Sequence, residues 1–169
     1  MRRFSFSLNP ILRFPWEILL FLCCIGLIFG IVIQRIDAIL PAFVGGLIFC
    51  IFFAIKRFSF IDITDRSLRI KLGFLAYCEI GFSNIKDIST VTHKAINGIG
   101  VRACGGGETA IVTNTGDVVQ LHLKEKGFLK SFGVFKISFT SLRLSPEKQS
   151  EFIAMLKTHL TTENSGSHK

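Results

Sequence analysis

Three basic residues near a predicted pair of strands are the side chains best placed to bind a ligand in this sequence. Arg66 lies in a polar segment, and Arg69 and Lys71 alternate with apolar residues of the strand that follows. Alternation places residues two apart on one strand face, so Arg69 and Lys71 share the face turned away from the core. A basic face of this kind is attracted to an anionic membrane surface. A solvated basic face without a ligand is the simpler interpretation.

The residues that would indicate catalysis or metal binding are not arranged for either. The four histidines show no metal-ligand spacing with one another or with the five scattered cysteines. The glycines at 98–100 and 105–107 match neither a dinucleotide-binding fingerprint nor a phosphate-binding loop, and they predict turns with positive φ. We therefore expect no enzyme activity, no catalytic residue, no metal and no cofactor. An enzyme whose catalytic residues come together only in the folded chain is the less favoured alternative.

Two apolar runs precede the basic segment. Residues 16–34 and 38–55 predict two transmembrane helices, because about 20 apolar residues in a helix span a bilayer core. The link between them is so short that it predicts an antiparallel helical hairpin. Two buried helices of an all-α core are the alternative interpretation.

The charges that flank these runs predict an orientation. Lys and Arg are in excess before the first run and after the second, so both termini are expected in the cytoplasm of a multi-pass protein of the cell inner membrane. Residues 1–15 are expected to be a cytoplasmic arm at the interface, with a signal peptide as the rival interpretation. The residues expected at the membrane interface are Arg2, Arg3, Arg13, Trp16, Lys56 and Arg57.

Four glycines in the apolar runs predict close helix packing, since glycine lets two helix backbones approach in lipid. Packing within the hairpin is favoured over a dimer face. The residues are Gly26, Gly30, Gly45 and Gly46.

The pattern from residue 56 to residue 160 predicts a small β domain that ends in a helix. About seven short strands are expected, with Gly127–Gly133 as a loop. Ser145 is the expected N-cap of the helix, and the helix has an apolar stripe that must bury against the sheet. These features predict an antiparallel sandwich or barrel capped by a C-terminal helix. Residues 161–169 are expected to be a flexible tail.

Three stretches of this domain carry a resemblance to a known family. They are residues 61–73, residues 80–88, and the strand-plus-helix ending at 137–160. Together they resemble the bacterial pleckstrin-homology-like domain, and the two preceding helices are similar to those of its small membrane-anchored members. The resemblance implies a pleckstrin-homology-like fold. It also implies headgroup binding near the first strand pair, where this chain has Arg66, Arg69 and Lys71.

The expected function is a non-enzymatic, membrane-anchored interaction module that scaffolds or assists assembly of a membrane protein complex. The alternative is binding or sensing of anionic membrane lipids through the basic strand face. Membrane lipids and a membrane protein partner, or a second copy of the chain, are the expected partners. The net charge of +8 is scattered without a basic tract, so nucleic acid is not an expected partner.

Overall fold

A computed structural model describes residues 2–7, 16–33, 36–94, 96 and 98–166 of the chain. Contacts divide the chain into two units, one comprising Met1–Asn9 with Phe58–Lys169 and the other Pro10–Arg57. We refer to them as the sheet unit and the helical unit. The elements in chain order are β1 (Arg2–Phe4), α1 (Trp16–Ile33), α2 (Ile36–Arg57), β2 (Phe60–Ile63), β3 (Ser67–Leu72), β4 (Ala76–Gly81), β5 (Ile85–His93), β6 (Gly100–Gly105), β7 (Glu108–Val112), β8 (Gly116–Ser131), β9 (Phe135–Leu144) and α3 (Gln149–Gly166).

The sheet unit is built on one mixed sheet. Within the described residues it has nine strands in the order β1-β2-β3-β4-β8-β9-β7-β6, and β5 pairs with β8. Neighbouring strands are antiparallel except for β7 and β9, which are parallel. The prediction of about seven strands in an antiparallel sandwich or barrel is therefore wrong. Strand β8 follows β7 in the chain, but the two strands do not pair with each other. Strand β7 lies between β6 and β9 instead, and its pairing with β9 is the parallel one.

Alternation along β3 follows directly from its sequence. Leu68, Ile70 and Leu72 are buried, while Arg69 is exposed and Lys71 is half-buried on the opposite face. A strand with one apolar face lies over a core, because apolar side chains then leave water together. The predicted two faces of this strand are confirmed.

Strand β8 is unusually long and links two parts of the sheet. Its first half pairs with β5 and its last residues pair with β4, while β9 runs along its other side. The pairing with β9 shifts register between His122 and Gly127. A Cβ on Gly127 would lie 2.8 Å from side-chain atoms of both Leu123 and Phe139, so the shift needs glycine there. The predicted loop at Gly127–Gly133 is wrong, because this segment continues β8 up to Ser131.

Helix α3 covers the buried face of the sheet. Phe152 and Leu156 are fully buried, and the Phe152 ring meets the Phe4 ring edge-on with centroids 5.4 Å apart. The predicted apolar stripe is confirmed. The predicted N-cap is wrong, since α3 begins at Gln149 and the Ser145 hydroxyl accepts a hydrogen bond from the Thr113 amide at 2.9 Å.

The N-terminal segment is part of the sheet unit. Strand β1 pairs antiparallel with β2. Beyond it, the Ser7 amide donates to the Ser145 carbonyl at 2.7 Å and the Glu147 amide donates to the Ser5 carbonyl at 2.9 Å. The described part of the predicted interfacial arm, residues 2–7, lies at the edge of the sheet, and the rest of that prediction lies outside the described residues.

Helices α1 and α2 pack against each other through small residues. A Cβ on Gly26 would lie 3.4 Å from the Ala42 Cβ, and a Cβ on Gly45 would lie 2.8 Å from the Cys23 sulfur. Gly30 is buried, whereas a Cβ on Gly46 would have no neighbouring atom within 4 Å. Two of the four glycines chosen from the sequence thus lie at the contact between the two helices.

The prediction of a transmembrane hairpin is contradicted. Among the described residues, no helix combines the length and the apolar character needed to cross a membrane. The finding also contradicts the expected inner-membrane localisation, which rested on the two spans.

Burial distinguishes the cysteines, and this distinction gives a testable prediction. Cys78 lies in the core, where burial raises the pKa of its thiol to about 12, whereas Cys104 is exposed on β6. Thiolate is the reactive form. Treatment of the native chain with iodoacetamide near pH 8 should therefore modify Cys104 and spare Cys78, as read by peptide mass spectrometry. Equal labelling of the two before unfolding would contradict the burial of Cys78.

Candidate anion-binding surface

The three basic residues predicted from the sequence differ in their surroundings. Arg66 lies in the turn before β3, where its carbonyl oxygen accepts a hydrogen bond from the Phe82 amide at 3.2 Å. Arg69 donates from Nε to the Glu79 carboxylate at 3.0 Å, which offsets its charge. Lys71 has no ion pair with any described residue. The structure therefore leaves Lys71 as the better anion contact of the two on β3.

Glu79 is the centre of a polar cluster on the exposed face of β3 and β4. Its carboxylate accepts hydrogen bonds from the Ser67 hydroxyl at 2.7 Å, from Arg69, and from the Tyr77 hydroxyl at 3.0 Å. These hydrogen bonds lower the pKa of the Glu79 carboxyl below its ordinary value, and the bond from Ser67 has the largest effect. Partial burial and then the bond to Glu79 raise the pKa of Tyr77 above its ordinary value of 10.0.

Tyr77 offers a spectroscopic test because it is the single tyrosine of the chain. A raised pKa means that folding favours the neutral phenol. The contribution of Tyr77 to stability is therefore complete below about pH 10. This contribution is lost as the pH rises through the pKa of Tyr77 in the folded chain. Phenolate absorbance should titrate at a higher pH in the native chain than in urea. Replacement of Glu79 by glutamine should reduce this difference, and an identical midpoint in native and unfolded protein would contradict the account.

A row of three lysines crosses the same face of the sheet. Register pairs Lys71 with Tyr77, Tyr77 with Lys130, and Lys130 with Lys136, on strands β3, β4, β8 and β9. Residues directly opposite each other in a sheet point to the same side. We call Lys71, Lys130 and Lys136 the lysine row. In the part of the chain that the structure describes, none of them has an acidic partner within ion-pair distance.

Aromatic rings lie among these lysines. Phe60 pairs with Lys71 at the β2 end of the row, and Tyr77 lies within it. Farther along, the Lys136 ammonium lies 4.0 Å from the centroid of the exposed Phe128 ring. An ammonium over an aromatic face is held by the ring quadrupole while its other hydrogens remain free for an anion. The face is thus both basic and aromatic.

Four exposed apolar side chains lie at the end of the sheet next to the lysine row. Three of them lie in the turn after β3 and in the turn between β8 and β9, and the fourth is the first residue of β9. We call them the aromatic tip: Phe74, Phe132, Val134 and Phe135. None of these four residues, and neither Lys130 nor Lys136, was predicted from the sequence as part of a site. Their one sequence signal is the close interleaving of Lys and Phe between residues 128 and 136.

The residues predicted to lie at a membrane interface are distributed over both units. Arg2 pairs with Glu151, and Arg3 makes a two-pronged ion pair with the buried Asp62 at 2.8 Å and 3.0 Å. Lys56 and Arg57 end helix α2. Trp16 is the first residue of α1, and its side chain and Arg13 lie outside the residues described here. The predicted interface role of these residues is untested.

Several other polar side chains of the sheet unit pair with one another, while the buried His93 Nδ1 has no partner among the described residues. An open groove of about 360 Å³ is lined in part by Glu108, His122 and Ser141. Glu108 binds Arg143 at 2.6 Å, and Gln120 donates to the Ser141 hydroxyl at 2.8 Å. Among the described residues, no group of three or more His, Cys, Asp or Glu side chains could hold a metal ion. The lysine row is therefore the best supported site for a charged ligand.

Comparison with known proteins adds no relative. No protein-family model matches the chain, and no curated protein or solved structure matches it either. The resemblance to pleckstrin-homology-like domains stays a prediction.

Proposed function

We propose that the sheet unit is a non-enzymatic module that binds anionic lipid surfaces through the lysine row. The observation that carries the proposal is the alignment, on one sheet face, of three lysines that have no acidic partner among the described residues. Each basic residue close to an anionic bilayer contributes about 1 kcal/mol of attraction, so the row contributes about 3 kcal/mol. This corresponds to roughly a 150-fold preference for anionic over neutral lipid.

The residues of this proposed site differ from those chosen on sequence alone. Lys71 is retained, Arg69 is largely neutralised by Glu79, and Lys130 and Lys136 are added. A row across four strands presents its charges to a flat surface, which suits a bilayer better than a small anion. No cofactor is needed for this function.

The test is partition of the full chain between buffer and lipid vesicles. Vesicles of phosphatidylcholine alone are compared with vesicles that also contain phosphatidylserine, at about 0.1 M and about 1 M salt. The proposal expects stronger binding to the anionic vesicles, with most of the difference lost at high salt. Equal binding to both vesicle types at low salt would exclude it.

Assembly with another protein is the second candidate function. It is favoured by the many apolar side chains that α1 and α2 expose, among them Phe21, Ile28, Leu40 and Phe43. Exposed apolar side chains in this number are typical of an interaction site. The occupant we infer is a second copy of the chain, in contact through its own α1 and α2.

Native cysteines provide the test of this second candidate. Cys24 on α1 and Cys50 on α2 are both exposed. Mild oxidation of the full chain in a non-ionic detergent should give a disulfide-linked dimer through one of them. A chain that stays monomeric before and after oxidation over a wide range of concentration would rule this assembly out.

A further inference from the structure

Two turns form the aromatic tip, and hydrogen bonds hold them side by side. The Phe132 amide donates to the Leu75 carbonyl at 3.0 Å, and the Ser131 hydroxyl donates to the same oxygen at 3.2 Å. The rings of Phe74 and Phe132 have centroids 6.4 Å apart. Phe74 and Phe132 therefore form one apolar contact between two separate segments of the chain, and Val134 and Phe135 follow Phe132 closely in sequence.

The exposure of the tip is high for side chains of this type. Val134 is 82% exposed, and the three phenylalanines are each more than half exposed. The segments Gly73–Leu75 and Phe132–Phe135 contain no charged residue. An apolar patch rimmed by lysines is typical of a surface that meets both the interior and the phosphates of a lipid bilayer.

The backbone of the turn gives independent support for a role of Phe132. Phe132 has φ +51° and Gly133 has φ +72°, and the Val134 amide donates to the Ser131 carbonyl at 3.2 Å. This is the pattern of a type I′ turn, whose first central position prefers asparagine or glycine. A bulky side chain there costs folding free energy. The chain thus places a largely exposed ring at a backbone position that disfavours it.

We propose that the aromatic tip inserts into the boundary between headgroups and acyl chains of an anionic bilayer. This rests on the proposed function, because the lysine row then contacts the lipid phosphates. Lys130 precedes Phe132 by two residues, which corresponds to about 7 Å along a strand. Apolar side chains at membrane surfaces are buried about 5–10 Å below the headgroups. With the tip at that depth, Lys130 and Lys136 lie at the level of the phosphates.

The charge and shape of the site favour a bilayer over a single-stranded nucleic acid. Exposed aromatic rings with nearby lysines also bind unstacked bases. Base stacking uses ring faces along a groove, whereas this tip includes the aliphatic Val134 at the end of a turn. If a single-stranded oligonucleotide binds the chain and covers the aromatic tip, the proposal is overturned.

The decisive variant is Phe132→Asn, because the proposal expects its two effects to have opposite signs. Asparagine relieves the strained backbone, so Tm should rise by a few degrees, about 4 °C. Loss of the inserted ring should weaken binding to phosphatidylserine-containing vesicles about tenfold or more. The matched control is Ile96→Asn, which removes another highly exposed apolar side chain outside the tip. That control should leave vesicle binding unchanged.

Insertion itself is measured with a tryptophan at the tip. The chain has one tryptophan, Trp16. The double variant Trp16→Phe with Val134→Trp therefore has a single tryptophan, at the tip, which serves as the fluorescent reporter. Anionic vesicles with brominated acyl chains should quench its fluorescence and shift it to the blue. A bound chain whose reporter is neither quenched nor shifted would overturn insertion and leave the proposed function standing. Absence of binding to anionic vesicles would overturn both.

Discussion

Replacement of Lys71, Lys130 and Lys136 by glutamine is expected to lower the affinity of the full chain for phosphatidylserine-containing vesicles by about 100-fold. The three ammonium groups lie in one row on one face of the sheet, and each contributes about 1 kcal/mol near an anionic surface. The fold should be preserved, because Lys130 and Lys136 are exposed and the aliphatic part of glutamine keeps the packing of the half-buried Lys71. Vesicle co-sedimentation at low salt measures the change.

A matched triple variant separates the row from net charge alone. Lys86, Lys94 and Lys157 are also exposed, and their replacement by glutamine removes the same charge from other parts of the sheet unit. Charges farther than about 8–10 Å from the lipid are screened at physiological salt, so this variant should lose less than about fivefold. A similar loss in both triple variants would mean that the row has no special role.

Replacement of Phe152 by alanine should destabilise the sheet unit by about 3–5 kcal/mol. The ring is fully buried beneath the sheet and meets the Phe4 ring edge-on, so its removal leaves a cavity and loosens β1. This is a large part of the 5–15 kcal/mol that typical domains have in total. Hydrogen exchange of amides in β8 and β9 reports the free energy of opening for this unit.

Lys157→Ala is the control for this prediction, since Lys157 is exposed on the same helix. Its effect should lie within about 0.5 kcal/mol of zero. A Phe152→Ala protein with unchanged exchange rates in β8 and β9 would show that α3 does not hold the sheet together.

The strand pattern of the sheet unit was predictable where it depends on local alternation. Leu68, Ile70 and Leu72 alternate with charged residues, and this period alone places them in the core. The stripe of α3 was predictable for the same reason, since residues at helical spacing share a face. The glycine turns at 105–107 were also predictable, because only glycine adopts φ values of +83°, +58° and +81° freely.

Strand pairing was not predictable, and the site depends on it. Lys71 and Lys130 are 59 positions apart in sequence and share a row only because β4 lies between β3 and β8. Pairing register is set by tertiary packing over the whole sheet. Two glycines at 127 and 133 indicated a loop, yet Gly127 serves a register shift within β8. Arg69 was selected because the sequence does not show that Glu79 lies opposite it.

The N-terminal residues have distant partners that a local sequence pattern does not report. Arg2 and Arg3 next to apolar residues were interpreted as an interfacial arm. In the structure Arg3 pairs with the buried Asp62, and the adjacent Phe4 packs on Phe152. A buried carboxylate needs a partner, because an unpaired charge in the interior is costly. That need is satisfied by a residue about 60 positions away, which no local pattern reports.

The most direct test of the central claim is lysine footprinting of the wild-type full chain. Acetylation of exposed lysines is followed by mass spectrometry in buffer, with phosphatidylcholine vesicles and with phosphatidylserine-containing vesicles. The account predicts that the anionic vesicles alone protect Lys71, Lys130 and Lys136, while Lys86, Lys94 and Lys157 stay reactive. Equal protection of the two sets, or protection of the second set alone, would contradict it.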